Sequence, residues 1–196
     1  MKNRSISSFV MRGAAGLALI GMMACGGSKK DSVAYATRLE YSGIIADDYR
    51  LVTDTVRSTD KKLVLELLGP ERNTQLTGRG VFFGLKTDPS VVSFAKVDAS
   101  DAELAQNGAF DLGPEPRLLK GVMNGTDTLN VLISQKGHGN GQRVNQVLAR
   151  VALEFHSTSV QSGTKIPLAM SEALLLPYDS GSSTPITVLV GTLTAR

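Results

Sequence analysis

The chain has 196 residues, of which 21 are basic, 18 are acidic and one is a cysteine. The excess of basic side chains lies in the first 12 residues, at Lys2, Arg4 and Arg12, so the rest of the chain is formally neutral. This balance gives no support for nucleic-acid binding, which requires clustered Lys and Arg. Because Cys25 is the only thiol, an intrachain disulfide is excluded.

The first 24 residues have the organisation of a secretory signal peptide. A basic segment is followed by an uncharged run of 12 residues that ends at Ala24 and is too short to span a bilayer permanently. The sequence Ala24-Cys25-Gly-Gly resembles the lipobox of bacterial lipoproteins. This resemblance implies cleavage between Ala24 and Cys25 and lipidation of Cys25. The alternative is an ordinary signal peptide that is cut nearby, with Cys25 incidental.

The residue two positions after Cys25 is Gly27 rather than Asp. In enterobacterial lipoproteins this feature implies sorting to the outer membrane. We therefore expect a protein of the bacterial cell envelope that is anchored to the membrane through lipid on Cys25. Residues 25–35 are then a short flexible tether, and residues 36–196 form a single domain.

Short apolar runs rich in Val, Leu and Thr recur along the remaining chain, separated by turn residues. Regular strands of this kind favour an antiparallel β-sandwich or barrel. Asn124-Gly125 predicts a hairpin turn, and residues 100–109 are predicted to form one or two helical turns that begin at Ser100 or Asp101. The predicted strands lie near residues 37–42, 49–56, 61–68, 79–87, 91–97, 117–123, 127–135, 146–156, 165–175 and 185–194.

Three stretches, taken in order, resemble the cohesin family of β-sandwich modules. They are VFFGLKTDPSVVSF at 81–94, LARVALEF at 148–155, and the closing pair SGTKIPL at 162–168 with PITVLVGTLT at 185–194. The resemblance implies a jelly-roll sandwich of about nine or ten strands, related to carbohydrate-binding modules, over residues 61–196. Residues 36–60 are an added segment ahead of it. The known partners of cohesins are dockerins, but no motif here marks the dockerin-binding positions.

The adjacent residues Phe82 and Phe83 raise a question of orientation, because neighbouring strand side chains point to opposite faces. In the cohesin-like register Phe83 points inward, whereas Phe82, Gly84 and Lys86 point outward on the face that meets the partner in cohesins. Two interpretations of Phe82 follow. The favoured one is that the added segment covers it, through Ile44 and Ile45. The other is that Phe82 belongs to an exposed binding surface.

No catalytic constellation is visible in the sequence. His138 lies in a glycine-rich loop and His156 ends a strand, and neither lies near a nucleophile motif. The acidic pairs at 47–48 and 98–101 lack the spacing of a calcium loop, which predicts ordinary surface acids. We therefore expect neither an enzyme nor a bound metal or cofactor.

These observations predict a lipid-anchored module that acts by protein–protein contact. The alternative is a carbohydrate-binding module that holds envelope or extracellular polysaccharide. Such modules usually present a flat row of Trp or Tyr, and this chain has no Trp and only four Tyr. Their scarcity favours a protein partner over a sugar.

Overall fold

A computed structural model describes residues 34–98, 104–110, 118–124, 127–135, 141–178 and 181–196. Within these ranges the regular structure is entirely β, and no described helix is long and apolar enough to cross a membrane. The all-β prediction is therefore confirmed. The strands are β1 (Leu39–Ser42), β2 (Arg50–Thr53), β3 (Lys62–Leu68), β4 (Thr77–Thr87), β5 (Val92–Ala95), β6 (Ala105–Asn107), β7 (Leu118–Asn124), β8 (Thr128–Gln135), β9 (Gln142–Arg143), β10 (Val147–Phe155), β11 (Lys165–Ile166), β12 (Leu168–Pro177), β13 (Thr184–Pro185) and β14 (Thr192–Ala195).

Some predictions fall outside the described residues. They concern the signal peptide with its cleavage site at Ala24, the lipidation of Cys25, the loop that contains His138, and the helix start at Ser100 or Asp101. These stay predictions.

The strands form three antiparallel sheets. A five-stranded sheet has the order β2-β3-β10-β5, with β6 also paired to β10. A six-stranded sheet has the order β13-β12-β4-β8-β7, with β9 also paired to β4. A smaller sheet, β1-β14-β11, has β1 and β11 at its edges. The two strands of the predicted hairpin pair antiparallel as β7 and β8, and Gly125 of its predicted turn lies outside the described residues.

The core lies between the inner faces of the two larger sheets, as period-2 alternation predicts. On β4 the buried side chains are Val81, Phe83 and Leu85, and Phe83 is only 1% exposed. On β10 the residues from Ala149 to Phe155 with odd numbers join the same core. The inward orientation predicted for Phe83 is therefore confirmed.

One predicted strand, 165–175, is divided in two at Pro167. Its first part, β11, pairs with β14, and its second part, β12, pairs with β4 in a different sheet. Proline has no N–H to donate to a ladder, so it suits a point where the chain passes between sheets. The Thr87 hydroxyl donates to the Pro167 carbonyl oxygen at 3.0 Å and holds the crossing in place.

The helical turn predicted within residues 100–109 is wrong for the described part of that segment. Ala105, Gln106 and Asn107 form β6, which pairs with β10 at Arg150 and its neighbours. Ala105 is fully buried there. The free side of β10 offers backbone hydrogen-bonding partners for this segment. These outweigh the weak local preference of a short Ala-Gln-Asn run for a helical turn.

The added segment 36–60 does not cover Phe82 in the predicted way. Its strands β1 and β2 belong to the smallest sheet and to the five-stranded sheet, respectively. Ile45 is fully exposed, and Ile44 is 42% exposed. The favoured interpretation, in which these two isoleucines are buried against Phe82, is therefore wrong.

Candidate interaction surface

An apolar row crosses the outer face of the six-stranded sheet. Phe82 on β4 lies directly opposite Leu132 on β8 and Leu174 on β12, and Leu174 lies opposite Pro185 on β13. We call these four residues the Phe82 row. Leu132 is 39% exposed, and Phe82 and Leu174 are partly exposed. Cross-strand neighbours on one face lie about 5 Å apart, so the four side chains form one continuous strip.

Gly84 lies one position further along the same face and is itself covered. The Ser171 hydroxyl donates to the Gly84 carbonyl oxygen at 3.2 Å. A Cβ atom at Gly84 would lie 2.2 Å from the Ser171 Oγ and 2.9 Å from the Asn130 Oδ1. The absence of a side chain at Gly84 therefore allows Ser171 and Asn130 to close over the strand. Gly84 shapes this face rather than presenting a contact of its own.

Lys86 ends this face of β4 and carries an ion pair. Its Nζ lies 3.0 Å from the Asp127 Oδ2, and both side chains are well exposed. The hydrogen bonds from Lys86 and from the Thr128 hydroxyl lower the pKa of Asp127 below its ordinary value. The apolar row thus has a charged, solvated border at one end, which is typical of a protein interface.

The outer face of the five-stranded sheet is closed by the chain itself. Val64 on β3 and Ala152 on β10 are fully buried there with Val97 in a second small apolar cluster. The Lys62 ammonium donates to the Val97 carbonyl oxygen at 2.6 Å and so fixes the connection after β5 over the sheet.

A cluster of charged residues completes this closure. The Arg150 Nε lies 2.8 Å from the Glu66 Oε1 and 3.3 Å from the Asp54 Oδ2, and the Arg57 Nη1 lies 2.9 Å from the same Asp54 oxygen. The Asp54 side chain is 4% exposed. Its other oxygen accepts the backbone N–H groups of Val56 and Arg57, both at 3.0 Å. This arrangement pins the turn after β2 onto the sheet.

Two opposing effects set the pKa of Asp54. Burial raises it, because the low-dielectric surroundings disfavour the carboxylate. The hydrogen bonds from the Arg57 side chain, and from the backbone of Arg57 and Val56, lower it by more. The net pKa is below its ordinary value, so Asp54 is charged and structural at neutral pH.

Two of the four tyrosines are unavailable to a sugar-binding platform. Tyr41 and Tyr49 are buried, whereas Tyr35 and Tyr178 are exposed. The Tyr41 hydroxyl accepts the Gly191 backbone N–H at 2.6 Å. Half of the tyrosines are therefore committed to the interior.

The other candidates for chemistry that lie among the described residues are surface groups. His156 is exposed directly after β10, and the Asp47 Oδ1 accepts the backbone N–H groups of Glu71 and Arg72. Asp98 accepts a hydrogen bond from the Gln106 side chain at 2.8 Å. Within the described ranges no three His, Cys, Asp or Glu residues lie close enough together to hold a metal ion.

Sequence reasoning singled out Phe82 as a possible surface residue but did not connect it with Leu132 and Leu174. The register between β4, β8 and β12 joins residues about 50 and 90 positions apart, and no local pattern fixes it. The signal available was the interruption of alternation on β8, where Leu132 stands between the inward residues Val131 and Ile133.

Comparison with solved structures finds cohesin modules. The second type II cohesin module from the cellulosomal adaptor ScaA scaffoldin of Acetivibrio cellulolyticus has a TM-score of 0.54 at 10% identity, covering 75% of this chain and 94% of that one. A type II cohesin domain from the cellulosome of the same organism has a TM-score of 0.52 at 11% identity, covering 76% and 95%. The Coh3ScaB cohesin of that organism, solved as a mutant complex with an X-dockerin, has a TM-score of 0.52 at 10% identity, covering 74% and 95%.

No family model matches the chain, and no curated protein matches it. The likeness to the solved structures establishes the fold, a cohesin-like jelly-roll β-sandwich.

Proposed function

We propose that this chain is a non-catalytic module that binds a protein partner on the outer face of its six-stranded sheet, centred on the Phe82 row. The observation that carries the proposal is the contrast between the two sheets. The chain closes the outer face of the five-stranded sheet with its own loops and charges, but it leaves Leu132 and Phe82 accessible on the other. Apolar side chains that lie side by side on an accessible face mark binding sites more often than isolated exposed apolar residues do.

The composition of the face suits a protein partner. An aromatic side chain flanked by two leucines provides a central apolar anchor of the kind that dominates binding energy at protein interfaces. The Lys86–Asp127 pair, Asn130 and Glu172 provide the polar border. The extended strip formed by the ladders fits a protein surface better than a small molecule, which prefers a concave pocket.

The fold supports the same conclusion. The face with the Phe82 row is the one that the cohesin resemblance assigns to the partner. One solved structure with this fold is a cohesin in complex with an X-dockerin. The row itself indicates the chemistry of the partner, which needs an apolar patch with a polar margin.

We also propose that lipid on Cys25 anchors the chain at the bacterial cell envelope, in the outer membrane. The support is the lipobox-like sequence and the glycine at position 27. Metabolic labelling with palmitate tests the anchor. The wild-type chain is expected to incorporate label and to fractionate with outer membranes, whereas Cys25→Ser is expected to lose both properties. Label that persists in Cys25→Ser contradicts the anchor.

Affinity capture tests the binding function. The full chain, purified in detergent and immobilised, is exposed to envelope extract beside two matched variants. Phe82→Glu places a charge in the centre of the row, and Ile45→Glu places the same charge at a fully exposed residue elsewhere. The proposal requires a protein that wild type and Ile45→Glu retain and Phe82→Glu does not.

A polysaccharide ligand gives a different result in the same design. A glycan array probed with the three chains is expected to show no binding. Saturable binding to a glycan, combined with no protein retained in the capture, would favour the carbohydrate-binding alternative and reject the protein partner.

A further inference from the structure

A cleft of about 450 Å³ runs along β1, on the side away from β14. One wall is β1 itself, from Arg38 to Tyr41, and the other is the β2–β3 connection with Thr55, Ser58 and Asp60. Leu39 and Leu63 provide an apolar floor. The cleft is separate from the Phe82 row, since none of the row's residues lines it.

The hydrogen bonds of β1 determine which backbone groups face this cleft. Arg38 and Arg196 exchange both backbone hydrogen bonds, at 2.9 and 2.8 Å, so the even-numbered residues of β1 pair with β14. In an antiparallel ladder the intervening residues point their N–H and C=O groups to the opposite side. The backbone groups of Leu39 and Tyr41 therefore face the cleft.

The described residues leave most of these groups without a partner. The Thr53 hydroxyl reaches the Tyr41 carbonyl oxygen only at 3.5 Å. The Leu39 N–H and C=O and the Tyr41 N–H have no hydrogen bond to any part of the chain that the structure describes. An added strand forms hydrogen bonds with backbone N–H and C=O groups that are unpaired on every second residue of an edge strand, as at Leu39 and Tyr41.

The charges on β1 specify what kind of strand fits. Arg38 and Glu40 flank Leu39, and both of their side chains are more than half exposed. Each also has an ion-pair partner within the chain, Asp60 at 3.9 Å from Arg38 and Arg196 at 2.7 Å from Glu40, and a bound strand would compete with these exposed pairs. If a residue of an antiparallel strand exchanges both hydrogen bonds with Leu39, the residue after it lies opposite Arg38 and the residue before it lies opposite Glu40. Opposite charges at these two positions are favourable.

We propose that the β1 cleft is a second binding site, which takes an extended peptide segment of a partner protein with the order basic, apolar, acidic. The apolar residue pairs with Leu39 through the backbone and lies over the floor of the cleft. The acidic residue faces Arg38, and the basic residue faces Glu40. The β2–β3 connection borders the cleft on the side opposite β1.

Fluorescence anisotropy with the full chain in detergent tests the site. The probe is a blocked, labelled heptapeptide with the central triplet Lys-Val-Glu, which is expected to bind saturably. The reversed triplet Glu-Val-Lys is expected to bind about fivefold more weakly or less, because both cross-strand charge pairs become repulsive. N-methylation of the central valine removes the N–H that donates to Leu39 and is expected to abolish binding.

Variants of the chain locate the site. Leu39→Pro removes the N–H that faces the cleft and keeps the ladder with β14, so it is expected to lose the peptide. Because proline can also destabilise the strand, the stability of this variant is measured by urea unfolding. The double exchange Arg38→Glu with Glu40→Lys provides an independent check. That double variant is expected to prefer the reversed peptide. Lys165→Glu, on the opposite edge of the same sheet, is the control and retains wild-type binding.

Three results would overturn the proposal. They are undiminished binding of the N-methylated peptide, no change of preference in the double variant, and an unliganded dimer that Arg38→Glu dissociates. The last result would show that a second copy of the chain occupies the edge. None of them affects the capture experiment on the Phe82 row, because that experiment depends on a different sheet.

Discussion

Phe82 and Phe83 are consecutive residues of one strand, yet they lie on opposite sides of the six-stranded sheet. Phe83 is 1% exposed within the core, whereas Phe82 is partly exposed between Leu132 and Leu174. The two rings have the same chemistry but different surroundings, so substitution of each reports a different property of the molecule.

Phe83→Ala is expected to lower the free energy of unfolding by about 3–5 kcal/mol, because it leaves a cavity in a close-packed core. Phe82→Ala is expected to lower the free energy of unfolding by about 1 kcal/mol, because a partly exposed side chain loses less buried apolar surface than Phe83 does. Urea unfolding of both variants measures the difference. Equal losses would show that Phe82 is a core residue and would weaken its assignment to a binding face.

Gly84→Ala is expected to destabilise the domain by about 1–3 kcal/mol, because the new methyl group meets the Ser171 hydroxyl. The Ser171 Cβ lies at 3.7 Å, an ordinary contact distance. Adding Ser171→Ala should therefore recover part of the loss. A double-mutant cycle on unfolding free energies measures this coupling. Strictly additive effects would contradict the close approach.

Tyr41→Phe is expected to cost about 1–2 kcal/mol, because it leaves the Gly191 N–H without its acceptor. Tyr49→Phe is the matched control. The Tyr49 hydroxyl is buried without a hydrogen-bond partner among the described residues, so its removal is expected to be neutral or stabilising. The melting temperature should fall in Tyr41→Phe and should stay the same or rise in Tyr49→Phe. Equal falls in the two variants would contradict a stabilising hydrogen bond at the Tyr41 hydroxyl.

Asp54→Asn is expected to destabilise the domain by about 2–3 kcal/mol at pH 7, because it removes the buried charge that accepts from Arg57 and leaves Glu66 as the remaining counter-charge beside Arg150 among the described residues. The pKa of Asp54 is lower in the folded state than in the unfolded chain, where it is about 3.9. Its stabilisation is therefore complete above that value and is lost as the pH falls through the lower, folded value. Urea midpoints measured between pH 7 and pH 2.5 should fall less steeply in Asp54→Asn than in wild type.

Asp60→Asn is the control for that experiment. Asp60 is almost fully exposed and lies 3.9 Å from Arg38, so its loss is expected to change stability by less than about 0.5 kcal/mol. If Asp60→Asn flattened the acid dependence as much as Asp54→Asn, the acid sensitivity would not arise from the buried cluster.

Local alternation predicted β10 well, but the equally regular run within the predicted strand 185–194 is wrong as one strand, because residues 186–191 lie between β13 and β14 in no named strand. On β10 the odd-numbered residues from Ala149 join the core and Arg150 and Glu154 do not, as the sequence predicts. The same pattern could not show that Pro167 divides one strand between two sheets, or that β6 forms, since both depend on what the neighbouring strands leave unpaired. The Asp54 cluster was missed for a related reason. Its partner Arg150 is 96 positions away, and only the folded sheet brings the two together.

The hydrogen bond between Tyr41 and Gly191 joins residues 150 positions apart. The β1–β14 ladder encloses nearly the whole domain, and the entropy of closing so long a loop opposes it more than it opposes the β7–β8 hairpin. We therefore expect β1 to be added late in folding, after the two large sheets have packed. The cleft along β1 then exists only in completed molecules, so an unfinished chain cannot take a peptide strand there.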